Sequence, residues 1–600
     1  MSRESKSIRS KTARKQQQNS DARAVKKKYP RRVQNGVVGL LFMDRGRPYA
    51  KPILSEIKEE VLVQDAHRFQ HGDVVIVDGI IRKSGAYRGK VSQKISGANT
   101  LDLAVNTALL AKKRSRTWLS AIEEQKFPST VDQEDIKGRV DLRSLPLVTI
   151  DGRFAKDFDD AVYAESLPTG GWKLVVAIAD VAHYVKLNSE LDQEAKSRGF
   201  SVYFPTRVIP MLPEQLSNGI CSLVPGEDRL AMTTEMVIDE SGVVKQVSFQ
   251  EAVIRSHARL TYGEVNRLLQ TGDENKVQDA SIRDSLYSLK SFCEKRLELR
   301  SERGGLDFDI PEASVQIENN EPTGVYLTER NFAHQMIEEA MVLTNQVVAE
   351  KLAQHCKPMY RVHEPPDEES LYRVGNQFGM KNLPSKIEEY REGPLQMFFK
   401  DLAKKKGNSP FWNFQLVKNL PPARYSFTNQ GHFGLALDQY LHFTSPIRRY
   451  SDLYNHRLLK DVIHQRPIEQ DEEELTSYSE RQSNLEREID EMSRYVDRWL
   501  TCKWVERRIG TTDTGIVSGV TSFGLFVDLD KHLTSGLIHI SKLGHEYYEL
   551  ENEKLVAEWS GATYSLGDKL KVWIKSVDPI LGYVDLGLRR EHEETASTRR

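Results

Sequence analysis

Between residues 34 and 100, apolar and polar positions alternate with a period of two, interrupted by Gly and Asp. GVVGLLFM (36–43), EEVLVQD (59–65) and HGDVVIVDGIIRKSG (71–85) carry the pattern, which predicts short strands joined by tight turns. A segment of roughly sixty to seventy residues with that pattern suits a small β-barrel. From Leu101 the chain turns to helix formers, LDLAVNTALLAKKR, and a polar connection follows to Lys137. In the long middle, LPLVTI (145–150) and WKLVVAIADVAHYV (172–185) read as buried strands, whereas 332–355 and 475–508 read as helices. In the second helix Leu485, Ile489, Met492, Val496 and Trp499 recur at helical spacing, which makes them a packing face. Alternation returns in GIVSGVTSFGLFVDL (515–529), SGLIHIS (535–541) and GDKLKVWIKSVDPILGYVDLGL (567–588), a second barrel with five strands. Phe523, Phe526 and His539 stand where such a barrel can offer stacking faces to unpaired bases.

Length divides this pattern into several domains, because 600 residues exceed what one core organises. No stretch approaches the roughly 20 apolar residues of a membrane helix, and the N-terminus lacks the apolar core of a secretory signal. The expectation is a cytoplasmic protein with no membrane partner. Cys221, Cys293, Cys356 and Cys502 are far apart, fit no zinc spacing and read as reduced thiols. The formal net charge of −1 conceals an asymmetry: residues 1–33 carry twelve Lys and Arg against Glu4 and Asp21. Such a segment is expected to be a disordered tail that attracts polyanions, RNA or DNA above all.

The candidate chemistry lies in TIDGRFAKDFDDAV (149–162), which places Asp151, Asp157, Asp159 and Asp160 within ten residues. A solvated acidic loop can carry that charge without function. Here, however, the cluster follows an apolar run, every acid is the short Asp, and Arg153 and Lys156 cannot neutralise four carboxylates. A divalent cation can, and magnesium often binds through one or two carboxylates plus a substrate phosphate. Two such ions form the clamp used in phosphodiester cleavage. A calcium loop stays open on these residues, although its Gly at the sixth and Glu at the twelfth position are absent. A second constellation is HFTSPIRRYSDLYNHRLLK (442–460). Ser445 and Pro446 suggest a helix start, which would set Arg448 and Arg449 near a helix N-terminus, where phosphate oxygens bind well.

TIDGRFAKDFDDAV, VAIADVAHYV, SVYFPTRVIPMLPEQLSNGICSL, RGGLDFDIPE, RVHEPP and GHFGLALDQYLHFTSPIRRYSDL, in that order, resemble the motifs of the RNase II / RNase R family, and the body of the chain is closer to RNase R. The resemblance implies a multidomain α/β (α+β) catalytic RNB domain over 138–508, flanked by small all-β OB-fold barrels. These would be a cold-shock-like barrel at 34–100 and an S1-like barrel at 509–590, with a helical connection at 101–137 and tails at 1–33 and 591–600. It further implies processive 3′→5′ hydrolysis of single-stranded RNA to nucleoside 5′-monophosphates by a monomer with Mg²⁺, for which Mn²⁺ can substitute. Carried over by motif, Asp151, Asp157, Asp159 and Asp160 hold metal, with Asp159 and Asp160 also catalytic. Arg448 holds the scissile phosphate and also acts in catalysis, Arg449 adds to RNA binding, and Tyr203 stacks near the 3′-terminal base. The family usually carries two cold-shock barrels, and this sequence has room for one. The competing reading is an RNA-binding protein of the same fold that has lost catalysis, but such loss normally replaces an aspartate of this set and all four are present.

Overall fold

Seven strands in the order Ala258–Thr261, Val148–Asp151, Asp160–Ser166, Trp172–Ala179, Asp228–Ile238, Val244–Arg255 and Val140–Asp141 form the sheet on which the acidic segment rides. The structure, a computed structural model, describes residues 32–34, 36–380, 395–551 and 553–588. Of the basic tail at 1–33 only Arg32 and Val33 fall among these. They belong to a strand, Arg32–Gln34, paired with Val74–Lys83. The rest of that tail and the tail at 591–600 lie outside the described residues.

Two units make up the chain. In the first, Val37–Asp44 pairs with Arg47–Pro52, which pairs with Val61–Gln64. Val61–Gln64 runs parallel to Ala86–Lys94, and Val74–Lys83 joins that strand back to Val37–Asp44. These five strands thus close into a ring, with Arg32–Gln34 added alongside Val74–Lys83, and closure removes the edges an open sheet would expose. Val37, Leu41, Val61, Val75, Val77 and Ile80 fill it. The helix predicted from Leu101 is Thr100–Ala111, and Leu101, Ala104, Val105 and Ala108 are its buried face. It belongs to this first unit, which extends to Ser115, so the helical connection begins as part of the barrel unit.

The second unit holds the seven-stranded sheet. Helices Ala280–Glu302 and Phe332–Ala353 join its core, with Leu286, Leu289, Met336, Ala340 and Leu343 against Val162, Leu174 and Val176. The predicted strand 172–185 ends at Ala179, and Val181–Tyr184 is a helical turn. Asp180 between them sends its carboxylate to the Arg139 guanidinium at 2.8 Å and Lys460 Nζ at 2.7 Å, both buried contacts that fix the chain at that bend. Helix Glu472–Glu506 carries the predicted packing face: Ile489, Met492, Val496 and Trp499 are buried and Leu485 is half-buried. Its last turns, Cys502, Trp504 and Val505, enter the core of the C-terminal barrel.

That barrel consists of Thr512–Thr521, Gly524–Leu529, Ser535–His539, Tyr583–Leu588 and Lys569–Asp578 in closed order. Its third and fifth strands in sequence are parallel neighbours and its first and fourth are antiparallel, the same connectivity as the N-terminal barrel. A three-stranded sheet, Tyr548–Glu551, Lys554–Ala557 and Thr563–Ser565, is inserted into it. The cysteines are free, three of them buried. Among the described residues no helix is long and apolar enough to cross a membrane.

Candidate active site

Asp151 ends one strand and Asp160 begins its antiparallel neighbour. The pairing of Val148 with Val162 brings both aspartates to the same end of the sheet, with 152–159 looping between them. Strand pairing, and not chain proximity alone, therefore brings the two strand ends close enough for the Asp151 charge to act on Asp160.

The loop is held at several points. Arg259, on the strand paired with Val148–Asp151, donates from Nη2 to the Gly152 and Arg153 carbonyls, each at 2.7 Å. Ser222 Oγ accepts from the Phe158 N–H at 3.0 Å and donates to the Lys156 carbonyl at 2.7 Å. The Leu223 N–H reaches the Phe158 carbonyl, the Ala179 N–H the Asp159 carbonyl at 2.9 Å, and the Phe158 ring is buried. Sequence reasoning assigned nothing to Arg259. Ser222 lay within a quoted motif, and its role became visible only as a contact.

Each aspartate has a distinct environment. Asp159 is buried; its Oδ1 accepts from the Ile447 N–H at 2.8 Å, and its Oδ2 finds no hydrogen-bond donor among the described residues. Burial pushes its carboxyl well above the ordinary range, and Asp157 and Asp160 add to that while Arg448 and the Ile447 N–H oppose it. Burial, then the charge of Asp151, raises Asp160 to about 7. Asp151 is raised by burial and by Asp157, although the Gly152 N–H holds its Oδ1 at 2.6 Å. Asp157 accepts from the Tyr203 hydroxyl at 2.6 Å.

Among the described residues, no three acidic, His or Cys groups come together where they alone could hold a metal ion. The four aspartates are thus near enough to repel one another without being drawn into a single cluster. Magnesium seldom uses a closed protein cage; it takes one or two carboxylates and completes its shell with water and substrate phosphate. Buried carboxylates that resist ionisation, one with an orphaned oxygen, make a donor set that fits a hard divalent cation.

The two arginines have opposite fates. Arg448 is 43% exposed in its side chain, bonds Ser445 Oγ from Nη2 at 3.0 Å and stands with Nε 3.6 Å from Asp159 Oδ2. Arg449 is 16% exposed and gives its fork to Asp452, Nε to Oδ2 at 2.9 Å and Nη2 to Oδ1 at 2.6 Å. Burial opposes the charge on Arg449, but Asp452 outweighs it and raises the guanidinium above its ordinary value. The helix expected to start at Ser445–Pro446 starts at Tyr450 instead. Residues 446–448 form a turn closed by the Arg448 and Arg449 N–H groups on the Ser445 carbonyl, and Arg449 is extended: it bridges Phe200, and the Ser201 N–H reaches the Arg448 carbonyl at 3.0 Å. Arg448 therefore faces the aspartates from a loop, not from a helix end. Asp452→Ala should destabilise the protein by about 3–5 kcal/mol by leaving Arg449 buried and unpaired, measured as a lower urea midpoint; an unchanged midpoint would show that the pair is solvated.

Tyr203 is 42% exposed, on the strand Val202–Phe204. Its carbonyl accepts from Ser493 Oγ on the long helix at 3.2 Å. Partial burial and the Asp157 charge raise its phenol. Tyr262, to which the sequence analysis assigned nothing, stacks on His334 with ring centroids 3.9 Å apart and planes at 17°. Burial, Asp151 and Asp160 all raise its phenol, so it borders the same carboxylates. On the C-terminal barrel Phe523 and Phe526 are both exposed, edge to face at 6.0 Å and 90°, and the exposed His539 pairs with Gly524 between them. A Cβ at Gly524 would meet the Ile538 carbonyl at 2.2 Å, so this turn admits only glycine.

Residues 139–465 match the RNB domain and residues 506–589 the S1 RNA binding domain. Ribonuclease R of Vibrio cholerae is 38% identical over 575 residues, spanning 90% of this chain and 69% of that protein. The apo form of Mycoplasma genitalium RNase R shares the structure with a TM-score of 0.78 at 27% identity, over 93% of this chain and 90% of that one. The same protein has been solved with ribose-methylated single-stranded RNA and with double-stranded RNA. Yeast Ssd1, a pseudonuclease, shares the fold at 18% identity with a TM-score of 0.65 over 88% of this chain and 68% of that one. The fold by itself therefore does not decide catalysis; the side chains must.

Proposed function

The chain belongs to the ribonuclease R family and is a 3′→5′ exoribonuclease, and from that premise we propose that it degrades single-stranded RNA processively to nucleoside 5′-monophosphates, as a cytoplasmic monomer acting in RNA turnover. The observation that carries this reading is the pairing of the buried Asp159, with its orphaned oxygen, and the exposed Arg448 guanidinium 3.6 Å away. Asp151, Asp157, Asp159 and Asp160 would hold two magnesium ions. When bound, these ions supply Lewis-acid stabilisation of charge developing on the phosphate and a hydroxide nucleophile at neutral pH.

The chain's own groups do the rest. Arg448, free of any carboxylate fork, donates to the scissile phosphate and favours the charge that accumulates there. The Ile447 N–H and the loop braces at Arg259 and Ser222 hold the carboxylates in place before substrate arrives, so little reorganisation is needed during reaction. Tyr203 stacks on a base near the 3′ end, and the exposed aromatics of the C-terminal barrel hold single-stranded RNA with little sequence preference.

A 5′-labelled oligoribonucleotide tests this directly. With Mg²⁺, the labelled strand should shorten from its 3′ end to a short limit product as unlabelled mononucleotides, read by chromatography, accumulate; with EDTA cleavage should fall to background, and restored Mg²⁺ or Mn²⁺ should revive it. Bound RNA that is never hydrolysed at any metal concentration would favour the inactive RNA-binding reading. Tyr203→Ala should lengthen the final limit product more than it slows cleavage. Tyr203→Phe keeps the ring and loses only the bond to Asp157, so it should preserve the wild-type product; identical end products for all three proteins would refute the stacking role.

A further inference from the structure

The loop that carries the aspartates also carries a side chain that nothing above uses. Phe154 is 87% exposed, three residues from both Asp151 and Asp157. The Arg153 guanidinium lies 5.7 Å from its ring centroid, a separation at which cation and ring attract. Although four carboxylates lie within this stretch, Arg153 forms no ion pair with any described residue, and it is exposed. The backbone beneath is held, since the Arg259 guanidinium ties down the Gly152 and Arg153 carbonyls at 2.7 Å each and the Ala155 N–H reaches the Gly152 carbonyl. Lys156, two residues on, is exposed as well.

We propose that Phe154 and Arg153 form a nucleotide subsite at the rim of the catalytic loop, the ring stacking on a base and the guanidinium taking that nucleotide's phosphate. An exposed aromatic alone is unremarkable on a protein surface. What singles this one out is an unpaired cation beside it, a braced backbone below it, and catalytic carboxylates on either side. A nucleotide has a π-face on its base and an adjoining phosphate anion, and such a ligand satisfies both side chains at once. The inference rests on the exoribonuclease reading, which supplies two sources of that chemistry at this place: the RNA strand and the released nucleoside 5′-monophosphate.

Two fluorescent probes separate them, 2-aminopurine riboside 5′-monophosphate and an oligoribonucleotide with 2-aminopurine at its 3′ end. Both are titrated into the full chain in EDTA, where stacking quenches the base. Phe154→Ala should weaken binding of at least one probe roughly tenfold and Phe154→Trp should retain it. Arg153→Gln should weaken the same probe and lower the slope of its affinity against salt by about one. An effect on the monophosphate assigns the subsite to product, and an effect on the oligonucleotide alone assigns it to the strand. Affinities within about twofold of wild type for both probes and all variants would overturn the proposal. Cleavage of labelled RNA by the wild-type chain with Mg²⁺, run alongside, shows separately whether the exoribonuclease reading holds.

Discussion

Asp159→Asn should lower the rate of RNA cleavage about a thousandfold or more and leave RNA affinity within about twofold. Asparagine matches aspartate in shape, and its side-chain oxygen can still accept from the Ile447 N–H. What disappears is the negative charge on a buried group beside Asp160 and Arg448. Charge stabilisation of several kcal/mol in a transition state corresponds to about three orders of magnitude in rate. The fold should not suffer: burial already disfavours the charge on Asp159, so without divalent ions the variant should unfold at the same denaturant concentration or higher. Single-turnover cleavage, filter binding and urea denaturation measure the three quantities. A variant that cleaves at one tenth of the wild-type rate would remove Asp159 from the chemistry.

Arg448→Ala should cost about 10²–10³ in kcat, the range for removing one preorganised donor to developing charge. Arg448→Lys should recover part of it, because the ammonium keeps the charge but loses the planar fork that matches a phosphate. Stability should hardly change, since the side chain is 43% exposed and its hydrogen bond is to Ser445. Arg449→Ala is the necessary contrast. It should leave Asp452 buried without its fork and act through unfolding, by about 3–5 kcal/mol, with little loss of kcat in the fraction that remains folded. If Arg449 proved to control kcat and Arg448 only stability, the assignment of the two residues would have to be reversed.

Much of this was legible along the chain because it depends on neighbours in sequence. Alternation at a period of two produced both barrels, and helical spacing placed Ile489, Met492 and Val496 on the buried side of one long helix. The acidic segment was legible as a loop between strands for the same reason: apolar runs end at Asp151 and resume at Asp160. Two local readings failed where a distant residue intervened. The strand 172–185 was cut at Ala179, because Asp180 turns its carboxylate to Arg139 and Lys460. The helix expected at Pro446 was delayed to Tyr450, because a turn over 446–448 leads into an extended Arg449 that is held against Gly199, Phe200 and Ser201.

By itself the sequence determined which elements exist, their order, and which short segment concentrates the carboxylates, since side-chain period, turn chemistry and charge spacing are local properties. Only the tertiary structure decided what those groups can do. It paired the strands that end at Asp151 and begin at Asp160 so that one charge acts on the other, buried Asp159 under a backbone N–H from residue 447, and gave one of two consecutive arginines to Asp452 while leaving the other open. Those outcomes turn on burial and on which partners the fold supplies, as near as Asp452 to Arg449 or as far as Ile447 from Asp159, 288 positions away, and a charged group's reactivity follows from whether water or a fixed partner surrounds it.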